Sequence, residues 1–586
     1  MPPEPEPELS AEPPQRLSER LAPLTAGRER WVLGLVCLAA VVGAWILRFA
    51  QDDAFITYRF SRNLAEGRGL VFNPGERVEG YTNFLWTLYL ALPEWLGWDT
   101  PTFSVISGIV LMVATILVAW RLALHLLDGE RAALLAVVVL VANVSFLGYG
   151  TGGLETMLQT LLVATVALLV VAPAEVTPRR RVAAGVAGGL AVLTRLDSTV
   201  LVGALFVASL WRAGLRRGAT RDDLRALVAP AVQMGLPVLA LVVPWLVWKL
   251  DYYGNLLPNT FYAKSTGNPL VPVLYGVVYV LAFLASYAAF LLIGRWRRHR
   301  RELLGDPRRR ALAAICGLWA AYICYVGADF MEFRFVVPIL PLLAIGASFL
   351  IDRYRSTARQ VVLVGVLLVV SGLHAVLPGM QYPVLTFKDL RHWPTDSPTS
   401  WAGMGEVLAE AFPGSLDDPA RPTIALTPLG VIPYVTDLRT VDMLGLADPE
   451  IAREGEVIPL YYPGHVRMAT VDQLVAKGVD LVIGQPTPIE PLETDSVTLA
   501  QLVGLYPATD LRRLPDGAEV IEITLTPDRA WYLISLRPHP QVTAAVERFG
   551  WRTLEIERTC ELRDLELSGL ARWVYRQSAQ RTCPDV

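Results

Sequence analysis

Long apolar stretches constrain this chain's fold more than any other feature. A helix crosses a bilayer with about 20 mostly apolar residues. Stretches of that kind occupy roughly 31–50, 103–121, 131–149, 153–172, 226–249, 271–294, 311–328, 334–351 and 360–378. The stretch 182–211 is interrupted by "TRLDS" at 194–198 and reads as two short helices joined by a polar turn. Eleven spans result, the pattern of a polytopic α-helical membrane protein. Composition agrees: 18% of residues are charged and mean hydropathy is +0.41, whereas soluble proteins average about 25% charged residues. A net charge of −3 supplies no basic field for nucleic acid, so that partner class is set aside.

Basic clusters set the expected orientation, because Lys and Arg accumulate on the cytoplasmic side. They fall at Arg28/Arg30, Arg121/Arg131, Arg179–Arg181, Arg212–Arg225, 295–310 and Arg353–Arg359. All six share one side only if "YTNFLWTLYLALPEWLG" at 81–97 does not cross but lies along the outer interface, as an amphipathic helix can. The N-terminus is then cytoplasmic, with residues 1–30, rich in Pro and Glu, as a disordered tail. The helical membrane domain covers 31–379, with a large first outer loop at 51–102. Residues 380–586 lie outside. The sequence "AFITYRFSRNLAEGRG" predicts an amphipathic helix in the first loop, ended by Gly67 and Gly69.

Under this topology the unusual polar residues gather at one leaflet, although they are spread over more than 280 positions. They are Asp52 and Asp53, Glu155 in "GYGTGGLETML", Arg195 and Asp197 in "LTRLDS", Lys264 in "NLLPNTFYAK", and Asp329, Glu332 and Arg334 in "GADFMEFRF". Charge near a membrane core is costly and marks function. Structural readings stand beside the functional one. Asp197 pairing with Arg195 would hold a turn, Glu155 would dock a helix end, and Asp329 with Arg334 would be an entrance ion pair. Asp52 and Asp53 are harder to assign to structure, since adjacent carboxylates repel unless a cation, a donor or water compensates them. One of them is suited to cap the following helix, leaving the other for chemistry. The pair is also a candidate ligand set for a divalent cation, though two carboxylates alone do not define a metal site.

These residues resemble the GT-C glycosyltransferases, and more closely the terminal β-arabinofuranosyltransferases of actinobacterial cell walls and their bacterial relatives. The resemblance rests on "DDAFITYR", "NLAEGRGLVFNPGERVEGYTN", "GLET", "LTRLDS", "LLPNTFYAK", "GADFMEFRF" and "DMLGLADPEIAR…PGH", in order over about 50–470. It implies a polyprenyl-phosphate-sugar donor, a cell-envelope glycan acceptor, and a site on the outer face of the bacterial cytoplasmic membrane. It makes Asp53 the first-loop aspartate acting on the acceptor hydroxyl or the transferring sugar, with Asp52 second. The chemistry agrees: transfer needs a base for a hydroxyl and cations for a departing phosphate. Arg59, Lys264 and Arg334 are the outer cations, with Lys264 or Arg334 the preferred phosphate ligand. The loop's "EGYTNFLW" departs from the arabinosyl pattern, so the sugar stays open.

After about 380, short strand-like runs ("TIALTP", "LRTVDMLGL", "DLVIG", "WYLISL") and the helical "VDQLVAKG" predict a small α/β domain. His465, in "YYPGHVRMA", is its one histidine within a motif. A lone His reads first as structural, and the resemblance directs it toward the cleft. Cys560 and Cys583 can pair if this region is outside the cytoplasm. Two other functions compete with the enzyme: a flippase or transporter for lipid-linked sugars, and a non-catalytic envelope-assembly protein. Transporters place charges near the midplane and show internal repeats; here the charges cluster at the outer ends.

Overall fold

The computed structural model describes residues 17–213, 221–264, 270–354, 356–376, 384–392, 397–506, 509–561, 579 and 581–584. Each of the eleven apolar stretches forms helix over most of its described length. Five helices among the described residues are long and apolar enough to cross a membrane: Glu29–Ile46, Thr100–Leu126, Arg225–Tyr253, Pro307–Val326 and Arg334–Asp352. A further pair, Leu270–Ser286 and Ala289–Leu303, is bent by 72°. Shorter apolar helices include Thr156–Val170 and Ser198–Arg212. The chain is a polytopic helical membrane protein. The interruption at 194–198 is where the sequence places it, between Pro178–Thr194 and Ser198–Ala213. The first helix begins at Leu17, so 17–30 are helical rather than a disordered tail, and the rest of that expectation (1–16) lies outside the described residues.

The segment read as an interfacial helix is Phe84–Leu96, 13 residues long and too short to span. It exposes Leu88, Leu92, Trp95 and Leu96 on one side and buries Trp86, Thr87 and Leu90 on the other. The first-loop helix runs Asp52–Ala65, and Gly67 after it takes a positive φ of 79°.

All strands among the described residues lie between 424 and 557. They are β1 (Ile424–Leu426), β2 (Thr440–Asp442), β3 (Glu456–Tyr462), β4 (His465–Met468), β5 (Leu481–Gly484), β6 (Ser496–Thr498), β7 (Glu519–Thr526), β8 (Arg529–Ser535) and β9 (Arg552–Glu557). Seven form one mixed sheet in the order β2-β1-β5-β8-β7-β9-β6, and β3 with β4 forms a separate hairpin. β1 pairs in parallel with β2 and β5, the α/β signature the sequence predicts, while β5-β8-β7-β9 is antiparallel. Helix entries between strands carry capping boxes at Thr470/Gln473 and Thr498/Gln501. Cys560 and Cys583 form a disulfide.

This sheet region is fastened to the first loop. Arg59, 1% exposed, donates to the carbonyls of Phe72 (3.0 Å), Pro433 (2.5 Å) and Leu438 (2.7 Å) and to Asn73 Oδ1 (3.2 Å). Arg62 donates to the Tyr434 carbonyl at 2.9 Å, and Tyr434 Oη to Glu94 at 2.9 Å. Asn73 exchanges two hydrogen bonds with the Thr440 backbone. These are buried, mutually satisfied polar contacts, which fix one arrangement of the two parts.

Candidate active site

The charged residues that the sequence scatters converge at one end of the helical bundle. The chain leaves the first span at Ile46, and the Gln51 amide then donates to the Gly152 carbonyl at 3.0 Å, which lays the start of the Asp52 helix against the loop 150–155. Gly153 permits this approach: its φ is +74°, and a Cβ there would strike Tyr58 and Ala54.

Glu155 is the hub. It is 1% exposed, and its Oε1 accepts from Arg195 Nη1 and Arg334 Nη2, each at 2.8 Å, while Oε2 accepts from Asn83 Nδ2 at 2.8 Å. Burial alone would raise its pKa; Arg334 and Arg195 outweigh burial and hold it at about 2. Arg195 is saturated, since its Nε and Nη2 also grip Asp197, the latter at 2.7 Å. Asp197 in turn accepts from Gln159 at 2.9 Å. Arg334 is held more loosely: its Nε donates to Thr156 Oγ1 at 3.4 Å and its Nη1 to the weak acceptor Met331 Sδ at 3.7 Å. Its Nη1 stands 3.7 Å from Asp329, beyond hydrogen-bond range.

Asp52 and Asp53 have different fates. Asp52, 4% exposed, does not cap its own helix, whose N-cap is Gln51. Its oxygens accept from the amides of Gly430 (3.1 Å) and Val431 (2.8 Å), the N-terminus of the helix Val431–Thr436. Gly430 lies so close to Asp52 that a Cβ would collide with its backbone. Asp52 is therefore a docking residue for the sheet region, a correction to its place as second catalytic candidate. Burial, opposed by the two amides, lifts its carboxyl to about 7. A raised folded pKa stabilises the fold below about pH 4, and that contribution is lost as pH rises through about 7. Asp52→Asn is expected to flatten this limb of a stability-versus-pH curve and to lower kcat by less than about tenfold, within the range left when no proton-transfer group is lost. Thermal melts across pH and a transfer assay check both.

The Asp53 carboxylate makes no hydrogen bond or ion pair among the described residues. Burial lifts its pKa, Lys264 and Arg334 pull it down, and Asp329 and Glu155 lift it further. Lys264 is exposed and likewise lacks a partner among the described residues. Gly464 of the β3-β4 turn sits against its side chain, 3.6 Å from Cε for a Cβ placed there. The next residue, His465, packs edge-on to Phe330 at 5.4 Å. Burial, then the nearby Lys264, lowers His465 to about 4 against the pull of its Pro463 carbonyl contact and Asp329, so it is neutral at pH 7. "PGH", "LLPNTFYAK" and "GADFMEFRF" thus meet beside Asp53.

Arg59 is the other correction. Its donors are spent on carbonyls and Asn73, so it does not serve as a phosphate ligand. Among the described residues no group of three or more His, Cys, Asp or Glu could hold a metal ion.

The sequence reading missed three features. Glu79 and Lys249 form a buried ion pair at 2.7 Å, tying the loop to the helix Arg221–Tyr253. A lysine inside an apolar span is a visible signal. Tyr149 is buried with no hydrogen-bond partner for its hydroxyl, in the electrostatic reach of Asp329 and Arg334. Gln51 is buried with neither side-chain atom bonded. No sequence pattern distinguishes these last two from ordinary core polar residues.

The comparisons agree with this geometry. Residues 98–248 match the family described as dolichyl-phosphate-mannose-protein mannosyltransferase, and 394–535 match a domain of unknown function. The chain is 28% identical over 424 residues to a terminal beta-(1->2)-arabinofuranosyltransferase of Mycobacterium tuberculosis, covering 64% of this chain and 62% of that protein. It is 29% identical over 372 residues to the protein of the same name in Corynebacterium glutamicum, covering 56% and 49%. The chain thus spans less than two thirds of the length of the curated relatives it matches. Among solved structures, ArnT from Cupriavidus metallidurans bound to undecaprenyl phosphate superposes with a TM-score of 0.54 at 16% identity, over 87% of this chain and 98% of that one. The chain has the fold of that ArnT structure, and in sequence it resembles the two terminal arabinofuranosyltransferases.

Proposed function

We propose that this protein is a membrane glycosyltransferase that moves a sugar from a polyprenyl-phosphate donor to a cell-envelope glycan at the outer face of the cytoplasmic membrane. The observation that carries the reading is one unpaired carboxylate, Asp53, in the field of two cations: Lys264, whose ammonium has no partner among the described residues, and Arg334, whose Nε and Nη1 make only long contacts to Thr156 and Met331. Asp53 takes the proton of an acceptor hydroxyl. The hydroxyl oxygen forms the new bond to the anomeric carbon. The bond from that carbon to the phosphate oxygen breaks, and the electron pair leaves with the phosphate. Lys264 and Arg334 meet the charge that develops there, the role in which fixed cations are most effective. A lipid-borne phosphate lies at the membrane boundary, and the convergence of these residues at one end of the helical bundle supports a site there.

The names of the two curated relatives favour arabinofuranose as the sugar. Eleven crossings, a cytoplasmic N-terminus and an external sheet region belong to the same reading. The Cys560–Cys583 disulfide supports an oxidising compartment for that region.

The test is transfer from polyprenyl-phosphoryl arabinofuranose to an arabinan acceptor by the protein in lipid. Lys264→Ala is expected to weaken donor use, cutting kcat/KM by about 10²-fold, since each 1.4 kcal/mol is tenfold and a charge-assisted bond contributes about 1.5–3 kcal/mol. An unchanged kcat/KM would remove Lys264 from phosphate binding.

A further inference from the structure

The opposite end of the bundle holds a second cationic site. After the helix Leu270–Ser286 the chain turns by 72° at Ala288, whose φ is +48°, into the helix Ile293–Leu303, "IGRWRRHRREL". The helix Pro307–Val326 follows and leads back to Asp329, so Ile293–Leu303 lies at the membrane face away from Asp53. The bend lays it across the bundle rather than along the span.

Its arginines are of two kinds. Arg297, Arg298, Arg300 and Arg301 are exposed and pair with no carboxylate among the described residues. Arg295 instead stacks over the Tyr354 ring, 4.2 Å from its centroid. Its Nε and Nη2 are buried and make no hydrogen bond. The neighbouring Glu302 is already held by Arg353 and by His299. An orienting loop needs only positive charge. It has no need of a guanidinium edge removed from water with nothing to bind, which is costly.

This helix contributes Trp296 and Leu303 to the wall of a cavity of about 420 Å³, which Leu292, Leu312, Leu350 and Leu367 also line; Arg309 lines it too, and Arg295 lies between the lining residues Leu292 and Trp296 in sequence without lining it itself. An unbonded guanidinium edge one residue from the wall of an apolar cavity matches one ligand chemistry: a phosphate ester carrying a hydrocarbon chain. We propose that this end binds one anionic phospholipid of the leaflet opposite the active site, its phosphate on Arg295 and an acyl chain alongside Trp296 in the cavity. The exposed arginines supply the field that draws anionic lipid to the surface. The guanidinium fork supplies the phosphate contact. This site is independent of glycosyl transfer.

The test is native mass spectrometry of the full-length protein in detergent, with phosphatidylglycerol and phosphatidylcholine of identical chains. One phosphatidylglycerol is expected to be retained in preference to phosphatidylcholine by about tenfold in affinity. Arg295→Gln is expected to abolish that preference. Cys316→Trp, which keeps every charge but fills the cavity, is expected to lose the same lipid, and it serves if Arg295→Gln does not fold. Equal retention of both lipids by the wild type, or an unchanged adduct in both variants, would overturn the proposal. So would retention of polyprenyl phosphate in place of phosphatidylglycerol at the Arg295-dependent site.

Discussion

Asp53→Asn is expected to lower kcat by about 10²–10⁴-fold, the range that a positioned general base contributes, while donor binding stays within a few-fold. The exchange removes the proton acceptor and keeps the shape. Since the Asp53 carboxylate makes no hydrogen bond or ion pair among the described residues, Asn leaves no structural contact broken, and the variant is expected to fold with an unchanged melting temperature. Burial holds the carboxyl above the usual carboxylate range, and a higher pKa makes it the stronger base toward a sugar hydroxyl. Initial rates with saturating acceptor, alongside binding of a non-transferable donor analogue, separate kcat from affinity. Wild-type turnover in Asp53→Asn would move the base to another group.

Glu155→Gln is expected to act on stability. Two arginines share one buried carboxylate oxygen, and removing its charge leaves both cations undercompensated. Breaking a buried ion pair at one partner costs about 3–5 kcal/mol. A folded pKa of about 2 against 4.5 unfolded gives a similar figure, roughly 3 kcal/mol. The sign follows from the depressed value. The stabilisation is present above about pH 4.5 and is lost as pH falls through about 2. Glu155→Gln should therefore melt well below the wild type at pH 7, with the gap closing in acid. A melting temperature equal to the wild type's at pH 7 would contradict the ion-pair account. Because Arg334 also reaches toward the proposed phosphate position, its loss of alignment is expected to reduce transfer as well.

Hydrophobic length made the helices legible, since an apolar stretch has one low-energy form in a bilayer; five of those described, or six with the bent pair, are long and apolar enough to cross. The charged residues were legible for the converse reason: Glu155, Arg195, Asp197, Asp329 and Arg334 are expensive where they sit, and the structure brings them together. Roles inside the cluster were not legible. Asp52 and Asp53 are chemically identical neighbours on one helix, and what separates them is a pair of amides from Gly430 and Val431, nearly 380 positions away. Arg59 carries the same mark as a phosphate ligand, a cation on the first-loop helix, yet two of its carbonyl partners, Pro433 and Leu438, come from the sheet region. Composition records a charge but not which backbone groups fold up to meet it. In the sheet, β1, β2, β5 and β8 are apolar runs and were visible. β7, "EVIEITLT", alternates apolar with polar and was passed over, although alternation is the mark of a half-buried strand.

The most direct measurement of the central claim is stoichiometry. Wild-type protein in proteoliposomes would receive polyprenyl-phosphoryl arabinofuranose carrying label in the sugar, with an arabinan acceptor. Released polyprenyl phosphate and label in the glycan would both be counted. Equal amounts of the two, appearing together and only with acceptor present, are the predicted result. Labelled donor that changes leaflet without releasing polyprenyl phosphate would contradict it and identify a flippase.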